Sequence, residues 1–262
     1  MEYGTILFDV RDHIAHITLN RPKAANSINQ DLARDLMDAV LRCDEDPAVR
    51  AVMISGSGNL FCAGGDLKSF IAQGEQLPRH VKEITTYLHA ALSRLIRMGP
   101  PVVAAVHGFS AGAGMSLALA CDLVVAAQSA RFSVAYTRIG LTPDGSMSYM
   151  LPRIVGLKRA LELTLTNRVL SAQEAQDWGL VSRVVPDAEL LAEAMALSNQ
   201  LAAGSPRALR ASKRLLQGGF NETLETQMEN ESETIADITR TEDAHEGITA
   251  FLEKRTATFQ GK

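Results

Sequence analysis

Two glycine-rich segments each follow an apolar stretch and could hold a negative charge. Residues 62–67 read CAGGDL and come after the apolar residues 49–55, while residues 108–114 read GFSAGAG and come after 101–107. Glycine lets a backbone approach a ligand closely, and amides at a loop end or helix N-terminus can bind developing negative charge. Tight turns alone would also use these glycines. Their occurrence as a pair favours an oxyanion hole, in which two backbone amides bind a developing negative charge on oxygen.

One carboxylate lies on a segment suited to proton transfer. Asp144 stands in TPDGSMSY, residues 142–149, just before a predicted helix. A Pro-Asp-Gly sequence also favours a turn or a helix cap, so a structural role for Asp144 stays open. A positioned carboxylate can remove a proton from one atom of a substrate and return it to another. Asp144 is therefore the candidate acid/base.

The elements that must position these residues alternate between strand and helix. Strands are predicted near 5–10, 13–19, 49–55, 101–107, 122–127 and 181–185, and helices near 30–43, 80–97 and 115–120. Strand, helix, strand is the pattern of a parallel sheet, whose buried strands are apolar throughout. The sequence predicts an α/β fold of repeated ββα units that form two stacked sheets.

The second half of the chain is predicted to be mostly helical. The helical patches lie near 157–166, 171–178, 187–203, 205–216 and 221–253. Residues 1–200 are predicted to form the core and residues 201–262 a helical oligomerisation region. Leu224 and Met228 lie on amphipathic patches with more apolar surface than a monomer would bury. An oligomer is therefore expected.

Composition excludes several classes of protein. The 26 Lys and Arg are scattered among 30 Asp and Glu, which gives a net charge of −4, so nucleic acid is not an expected partner. Apolar stretches fall short of the ~20 residues of a membrane helix, and no export signal is seen, so neither a membrane nor secretion is expected. The three cysteines show no metal-ligand spacing, so no metal is expected. A cytoplasmic protein is predicted.

Several ordered motifs together resemble the crotonase, or enoyl-CoA hydratase/isomerase, family over nearly the whole chain. They are NRPKAANSIN, FCAGGDL, PPVVAAVHGFSAGAGMSLALACDLVVAAQSARF, TNRVLSAQEAQDWGLVSRVV and AFLEKR. The resemblance implies the ClpP/crotonase-like fold and a homotrimer or hexamer. It implies an acyl-CoA thioester substrate, with coenzyme A as part of the substrate and no permanently bound cofactor. It also implies that Gly65 and Ala113 donate the two oxyanion-hole amides.

The same resemblance implies where coenzyme A would bind. The backbone around Lys23, Ala24, Ala63 and Gly65 is implied to hold its adenine end, with Lys68 near its phosphates. Asp66 is also implied to bind the substrate or coenzyme A. In similar proteins a basic, partly aromatic C-terminal helix often reaches the CoA of a neighbouring subunit, and here it carries Phe251 and Lys254. Ordinary solvated charge is the alternative explanation of Lys254.

The type of reaction depends on two positions beside the second glycine-rich segment. Hydratases of the family use two glutamates where this chain has Ser116 and Tyr136, and neither residue substitutes readily as general acid and base. Tyr136 would instead line the acyl pocket or belong to the core. The position of Asp144 resembles that of the acid in Δ3,Δ2-enoyl-CoA isomerases, and residues 133–156 resemble the phenylacetate-pathway epoxyphenylacetyl-CoA isomerases. An acyl-CoA isomerase that shifts a double bond or rearranges a ring is therefore favoured.

Three alternatives stay open. The protein could be an enoyl-CoA hydratase, or a hydrolase like 4-chlorobenzoyl-CoA dehalogenase, in which Asp144 would attack carbon and His89 would activate water. A lone histidine on a helix is, however, more often structural. The last alternative is a non-catalytic CoA-binding subunit, but the presence of FCAGGDL, GAG and Asp144 favours an enzyme.

Overall fold

Nine strands form two sheets in the computed structural model, which describes residues 3–262. The strands are β1 Ile6–Arg11, β2 Ile14–Leu19, β3 Ala51–Gly56, β4 Val102–Val106, β5 Phe109–Ala111, β6 Leu123–Ala127, β7 Arg131–Ser133, β8 Leu170–Ser171 and β9 Arg183–Val185. The larger sheet has the order β1-β2-β3-β4-β6-β9, and β5-β7-β8 form the smaller one. In the larger sheet β1 and β2 form an antiparallel hairpin, and the other neighbours pair in parallel.

Eleven α-helices are found in the same range of residues. They are α1 Gln30–Glu45, α2 Leu67–Ile71, α3 Leu77–Arg97, α4 Ala113–Leu119, α5 Met147–Val155, α6 Leu157–Thr166, α7 Ala172–Asp177, α8 Leu190–Ala202, α9 Pro206–Gly218, α10 Leu224–Ile238 and α11 Glu242–Leu252. The orders β4-β5-α4 and β6-β7-α5 repeat one ββα unit. The predicted α/β class with ββα repeats is confirmed.

Local sequence explains where the early helices begin. The Asn29 side chain caps α1 by accepting the Leu32 amide over 3.0 Å, as its position before the apolar face predicts. The next long helix, α3, begins at Leu77 and not at the predicted residue 80. Pro78 suits its first turn because the amide that proline lacks would have no partner there.

The predicted helical patch 221–253 is two helices. α10 ends at Ile238, and α11 begins after Thr241, whose hydroxyl accepts the Ala244 amide over 3.1 Å. This cap satisfies a backbone group that the start of a helix leaves free. The apolar pattern continues across this boundary, so it did not predict the break that Thr241 specifies.

The C-terminal helices leave much apolar surface exposed. The exposed side chains of this region are Leu216, Phe220, Leu224, Met228, Ile235, Ile248, Phe251 and Leu252. A monomer rarely exposes a large contiguous apolar patch without a partner. Within residues 3–262 no helix is long and apolar enough to cross a membrane. Oligomerisation through this region stays a prediction.

A partly buried ion pair ties α9 to the larger sheet. Lys213 Nζ donates to Asp122 Oδ2 over 2.7 Å and to the Leu95 carbonyl over 2.9 Å. The same Asp122 oxygen accepts the Val102 amide over 2.8 Å, at the start of β4. Burial raises the pKa of Asp122, although Lys213 acts to lower it. The position of α9 therefore depends on a carboxylate that would destabilise the fold without its charged partner.

We expect Lys213→Met to lower the free energy of unfolding by about 1–3 kcal/mol at pH 8, because a partly buried carboxylate would lose its charged hydrogen-bond donor. Loss of the lysine removes an influence that lowers the Asp122 pKa, so the folded-state pKa rises further above the unfolded one. Protonation then relieves the penalty as the pH falls, and the deficit should shrink at pH 5. Urea unfolding at both pH values measures this loss of stability.

Arg240→Met removes an exposed ion pair with Asp237 and is the matched control, with little expected effect. An equally small effect of Lys213→Met would contradict this prediction.

Candidate active site

The two glycine-rich segments lie side by side beyond the ends of β3 and β4. The Cys62 amide donates to the Phe109 carbonyl over 3.1 Å, and the Ala111 amide donates to the Cys62 carbonyl over 3.0 Å. A Cβ atom added to Gly64 would lie 3.5 Å from the Ala113 nitrogen. These contacts bring the backbone of the first segment next to that of the second.

Both candidate oxyanion amides are free to bind a ligand. The Ile28 amide donates to the Gly64 carbonyl over 2.7 Å, and the Asp66 amide donates to the Ile28 carbonyl over 3.0 Å. Because Ile28 pairs in this way with the residues on both sides of Gly65, the Gly65 amide faces away from Ile28. Ala113 is the first residue of α4, where an amide has no intrahelical acceptor. Neither amide donates to another group of the described chain. Gly65 and Ala113 thus offer the donors that an oxyanion hole needs.

Close backbone packing makes two of the glycines necessary. Gly64 has a φ of 100°, and a Cβ there would lie 2.9 Å from the Ala111 carbonyl oxygen. A Cβ on Gly114 would lie 2.4 Å from the Cys62 carbonyl oxygen, well inside van der Waals contact. The first turn of α4 therefore approaches the first segment only because residue 114 has no side chain.

Asp144 is held by hydroxyl groups of Tyr136 and of Ser116 on α4. The Tyr136 hydroxyl donates to Asp144 Oδ1, and the Ser116 hydroxyl donates to the Asp144 backbone carbonyl over 2.9 Å. Ser116 is fully buried on α4, three residues after Ala113. The Tyr136 ring lies 3.9 Å from the position that a Cβ on Gly112 would take. Asp144 is thus joined to the helix that carries the Ala113 amide.

A role of Asp144 as a turn residue or helix cap would account for its backbone but not for its carboxylate. The residue that precedes α5 is Ser146, and the Asp144 side chain makes no capping bond to that helix. Its carbonyl accepts the Met147 amide over 3.2 Å and so takes part in the turn. The carboxylate itself points to Tyr136 and His89. A side chain that the turn does not use is available for chemistry.

Tyr136 is both a core residue and a partner of the acid. Burial, followed by the nearby Asp144 charge, raises the pKa of the Tyr136 phenol far above its usual value. The hydroxyl therefore stays protonated at physiological pH and donates to Asp144 Oδ1. Asp144 Oδ2 is left as the oxygen that can take a proton from a substrate. Tyr136 is a positioning residue.

We expect Tyr136→Phe to lower kcat about 10-fold with little change in KM, because the ring that packs against Gly112 stays while the hydrogen bond to a charged group is lost. Tyr87→Phe is the matched control, since Tyr87 packs against the same core without a hydrogen bond to Asp144. Steady-state kinetics of the three proteins measure the effect. A rise in KM at constant kcat would show that Tyr136 only shapes the pocket.

His89 lies beside the acid. Its Nε2 is 3.7 Å from Asp144 Oδ2 and accepts the Gly145 amide over 3.2 Å. That bond occupies the Nε2 lone pair and leaves the ring proton on Nδ1. The structure therefore brings His89 to Asp144, although sequence alone favours a structural histidine.

The residues implied to bind coenzyme A lie near the Gly65 side of the site. Lys23 and Ala24 belong to a short 3-10 helix. The Ala63 amide donates to the carbonyl of Ala25, the next residue, over 3.1 Å. The side chains of Lys23 and Lys68 are exposed, as a site for phosphates requires. Their contact with coenzyme A stays a prediction.

The Asp66 carboxylate has a structural role. Its Oδ1 accepts the Ser69 amide over 3.2 Å at the start of α2, and its Oδ2 pairs with Arg21 over 2.9 Å. Burial acts to raise the pKa of Asp66, but Arg21 and the Ser69 amide outweigh it and hold the pKa below its usual value. Sequence reasoning missed Arg21, whose signal is the NRP motif. Any contact of Asp66 with coenzyme A would use its backbone.

The C-terminal residues implied to meet a neighbouring CoA stand clear of the rest of this chain. Phe251 is 83% exposed at the end of α11, and Lys254 follows that helix with an exposed side chain. Arg255 next to them pairs with Glu246 over 2.7 Å. An exposed phenylalanine is available to a second subunit, but its partner stays a prediction.

Buried cysteines are not candidates for the chemistry. Cys43, Cys62 and Cys121 are free and buried. Burial raises the pKa of the Cys62 thiol to about 12, so little thiolate exists at neutral pH. Cys62 therefore contributes backbone hydrogen bonds to the site, and its thiol is not a candidate nucleophile.

Paired free amides next to one held carboxylate define a site that can stabilise an enolate and move a proton. Residues 9–262 match the family model described as enoyl-CoA hydratase/isomerase. A probable enoyl-CoA hydratase of Rhodobacter capsulatus is 38% identical over 100% of both chains, and the 1,2-epoxyphenylacetyl-CoA isomerase of Escherichia coli is 35% identical over 98% of each. An enoyl-CoA hydratase structure from Polaromonas sp. JS666 aligns with a TM-score of 0.94 and 35% identity, covering 98% of this chain and 100% of that one.

The chain belongs to the enoyl-CoA hydratase/isomerase, or crotonase, family. Both the resemblance and the crotonase fold predicted from sequence are confirmed. The protein is accordingly an enzyme of a family that acts on acyl-CoA thioesters. The relatives include both hydratases and an isomerase, so the reaction must be argued from the site.

Proposed function

We propose that the protein is an acyl-CoA isomerase that moves a double bond through a thioester enolate. Asp144 Oδ2 takes a proton from the carbon next to the thioester, and the electron pair moves onto the thioester oxygen. The amides of Gly65 and Ala113 hold that oxyanion. Asp144 then returns the same proton two carbons along, as the double bond moves into conjugation with the thioester. Atoms and charge balance within the substrate, so neither water nor a second acid is consumed.

The observation that carries this proposal is the pair of neutral residues around Asp144. Ser116 is fully buried and donates to the Asp144 carbonyl, and Tyr136 donates to the carboxylate. Both side chains are used to hold one acid. Hydration needs a base for water and an acid for carbon, whereas a double-bond shift needs one group that does both in turn. A single held carboxylate therefore supports isomerisation.

Turnover of 3-enoyl-CoA and 2-enoyl-CoA substrates side by side tests the proposal. We expect conversion of 3-enoyl-CoA to 2-enoyl-CoA, followed by ultraviolet absorbance of the conjugated thioester, and at most slow hydration of 2-enoyl-CoA. Fast hydration of 2-enoyl-CoA without conversion of the 3-enoyl compound would favour the hydratase alternative. Tight CoA binding without either reaction would contradict this proposal.

The position of His89 supports a second candidate function, hydrolysis of the dehalogenase type. Asp144 would attack an aryl carbon, halide would leave, and water activated by His89 would cleave the aryl ester. His89 lies 3.7 Å from Asp144 Oδ2, but its Nε2 lone pair is taken by the Gly145 amide. Chloride release from 4-chlorobenzoyl-CoA, and its loss in His89→Gln, would establish this reaction. Isomerase activity that survives in His89→Gln would separate the two candidates.

We also propose that the exposed apolar faces of α10 and α11 build a homotrimer or a hexamer. Light scattering during gel filtration should give three or six times the 28.3 kDa of one chain. Leu224→Asp should lower that mass, because Leu224 is 70% exposed on α10 and a buried charge there would oppose assembly. Leu7→Asp on β1, also exposed, is the matched control. A wild-type mass of one chain would contradict the assembly.

A further inference from the structure

A cleft next to Asp144 is lined by four arginines and no acidic residue. It measures about 950 Å³ and has His89 and Gly145 among its lining residues. Its arginines are Arg97 of α3, Arg153 of α5, and Arg210 and Arg214 of α9. Neither Asp nor Glu lines it. We call this space the arginine cleft.

The four arginines carry positive charge that this chain does not neutralise. Within residues 3–262 none of them forms a salt bridge, although Arg94 on α3 pairs with Asp44 over 2.9 Å. Arg153 donates to the Tyr149 carbonyl over 3.0 Å and stacks 3.4 Å above the Tyr149 ring centre. The whole chain has a net charge of −4, so this local excess runs against its composition. A concave site with uncompensated guanidinium groups is built to receive an anion.

Arg153 lies beyond the reacting end of the site. Gly145 and His89, which flank the Asp144 carboxylate, line the cleft together with Arg153. α5 begins just after Gly145, and the six steps from Met147 to Arg153 advance ~9 Å along the helix. A chain of several carbons that starts at the thioester would span this distance.

Apolar side chains line the same cleft as the arginines. They are Leu92, Ile96, Met150, Ile154, Leu216 and Phe220. An acyl chain with a charged end matches a cleft that has both an apolar wall and guanidinium groups. The phosphates of coenzyme A would leave the apolar wall unused. The residues implied for coenzyme A, such as Lys23 and Lys68, lie near Gly65 instead.

We propose that the arginine cleft binds the acyl group of a CoA thioester whose far end is a carboxylate, and that Arg153, Arg210 and Arg214 pair with that carboxylate. This inference rests on the proposed function for the placement of the thioester at Gly65 and Ala113. It names the substrate class as ω-carboxyacyl-CoA. Arginine suits the task because its planar fork matches a carboxylate and its charge does not depend on pH.

Calorimetric binding of two saturated thioesters tests the proposal without any turnover. Suberoyl-CoA and octanoyl-CoA have the same chain length and differ in a terminal carboxylate against a methyl group. We expect the wild-type protein to bind suberoyl-CoA about 10-fold more tightly than octanoyl-CoA, and Arg153→Gln or the double variant Arg210→Gln/Arg214→Gln to remove this preference. Higher ionic strength should weaken the preference as well. Arg207→Gln, on α9 but outside the cleft, is the matched control.

Each other outcome contradicts the proposal. Equal wild-type affinity for both thioesters would show that the cleft does not bind the terminal carboxylate. A loss of affinity for both thioesters and for free CoA in the variants would assign the arginines to CoA phosphates. A change of oligomeric mass with binding intact would assign them to a subunit interface. Because neither thioester reacts, failure of the isomerase proposal in the turnover assay leaves this binding result interpretable.

Discussion

Replacing Asp144 by Asn is expected to lower kcat for 3-enoyl-CoA isomerisation by a factor on the order of 100 or more. The amide keeps the shape of the side chain and can still accept the Tyr136 hydroxyl, so the turn before α5 should persist. What it loses is the ability to carry a proton between two carbons. Stopped-flow turnover, with the affinity for a saturated acyl-CoA measured in parallel, separates the chemical step from binding.

Two comparisons make the Asp144→Asn experiment decisive. Asp237→Asn removes an exposed carboxylate on α10 that pairs with Arg240, and it should leave turnover unchanged. Circular dichroism should show the same melting transition for both variants. If Asp144→Asn retained turnover within a few-fold of wild type, Asp144 would be a turn residue and the single-acid mechanism would be wrong.

The second large effect is expected from one methyl group on the backbone of the oxyanion hole. In Gly114→Ala the new Cβ would lie 2.4 Å from the Cys62 carbonyl oxygen and 2.9 Å from Cys62 Sγ. The first turn of α4 would have to move away, and the Ala113 amide would move with it. We expect kcat to fall by about 10²–10³, the usual cost of losing one oxyanion donor. Such overpacking should also lower the free energy of unfolding by about 1–3 kcal/mol.

Gly4→Ala is the matched control for Gly114→Ala. No atom lies within 4 Å of a Cβ added to Gly4, which lies outside the cleft and the glycine-rich segments, so this variant should be stable and fully active. Kinetics at a temperature well below the melting point of both variants distinguish a displaced amide from simple unfolding. A folded Gly114→Ala protein with wild-type kcat would show that Ala113 does not hold the oxyanion.

Local sequence signals allowed most of the fold to be predicted. Apolar runs placed the central strands, and Asn29 placed the start of α1, because both depend on short-range periodicity and capping. The short strands β5, β7 and β8 were not predicted. They have two or three residues each and exist through pairing with one another, which no local pattern encodes.

The candidate site could be predicted only where its functional groups lie in one contiguous segment of sequence. The glycine-rich motifs and Asp144 are such segments. The hydroxyl bonds from Ser116 and Tyr136 to Asp144 are tertiary contacts over 28 and 8 residues of sequence, so the residues could be noted but their cooperation could not. The arginine cleft draws on α3, α5 and α9, and its charge pattern is invisible along the chain.

The packing around Ser116 ties this residue to the turn that presents Asp144. A Cβ on Gly145 would lie 2.9 Å from the Ser116 Cβ, and the Ser116 hydroxyl donates to the Asp144 backbone carbonyl. Residue 145 therefore has no room for a side chain, and replacing Ser116 removes a hydrogen bond of the turn. A change of residue at either position would alter the placement of the Asp144 carboxylate, so position 116 and the turn behave as one unit.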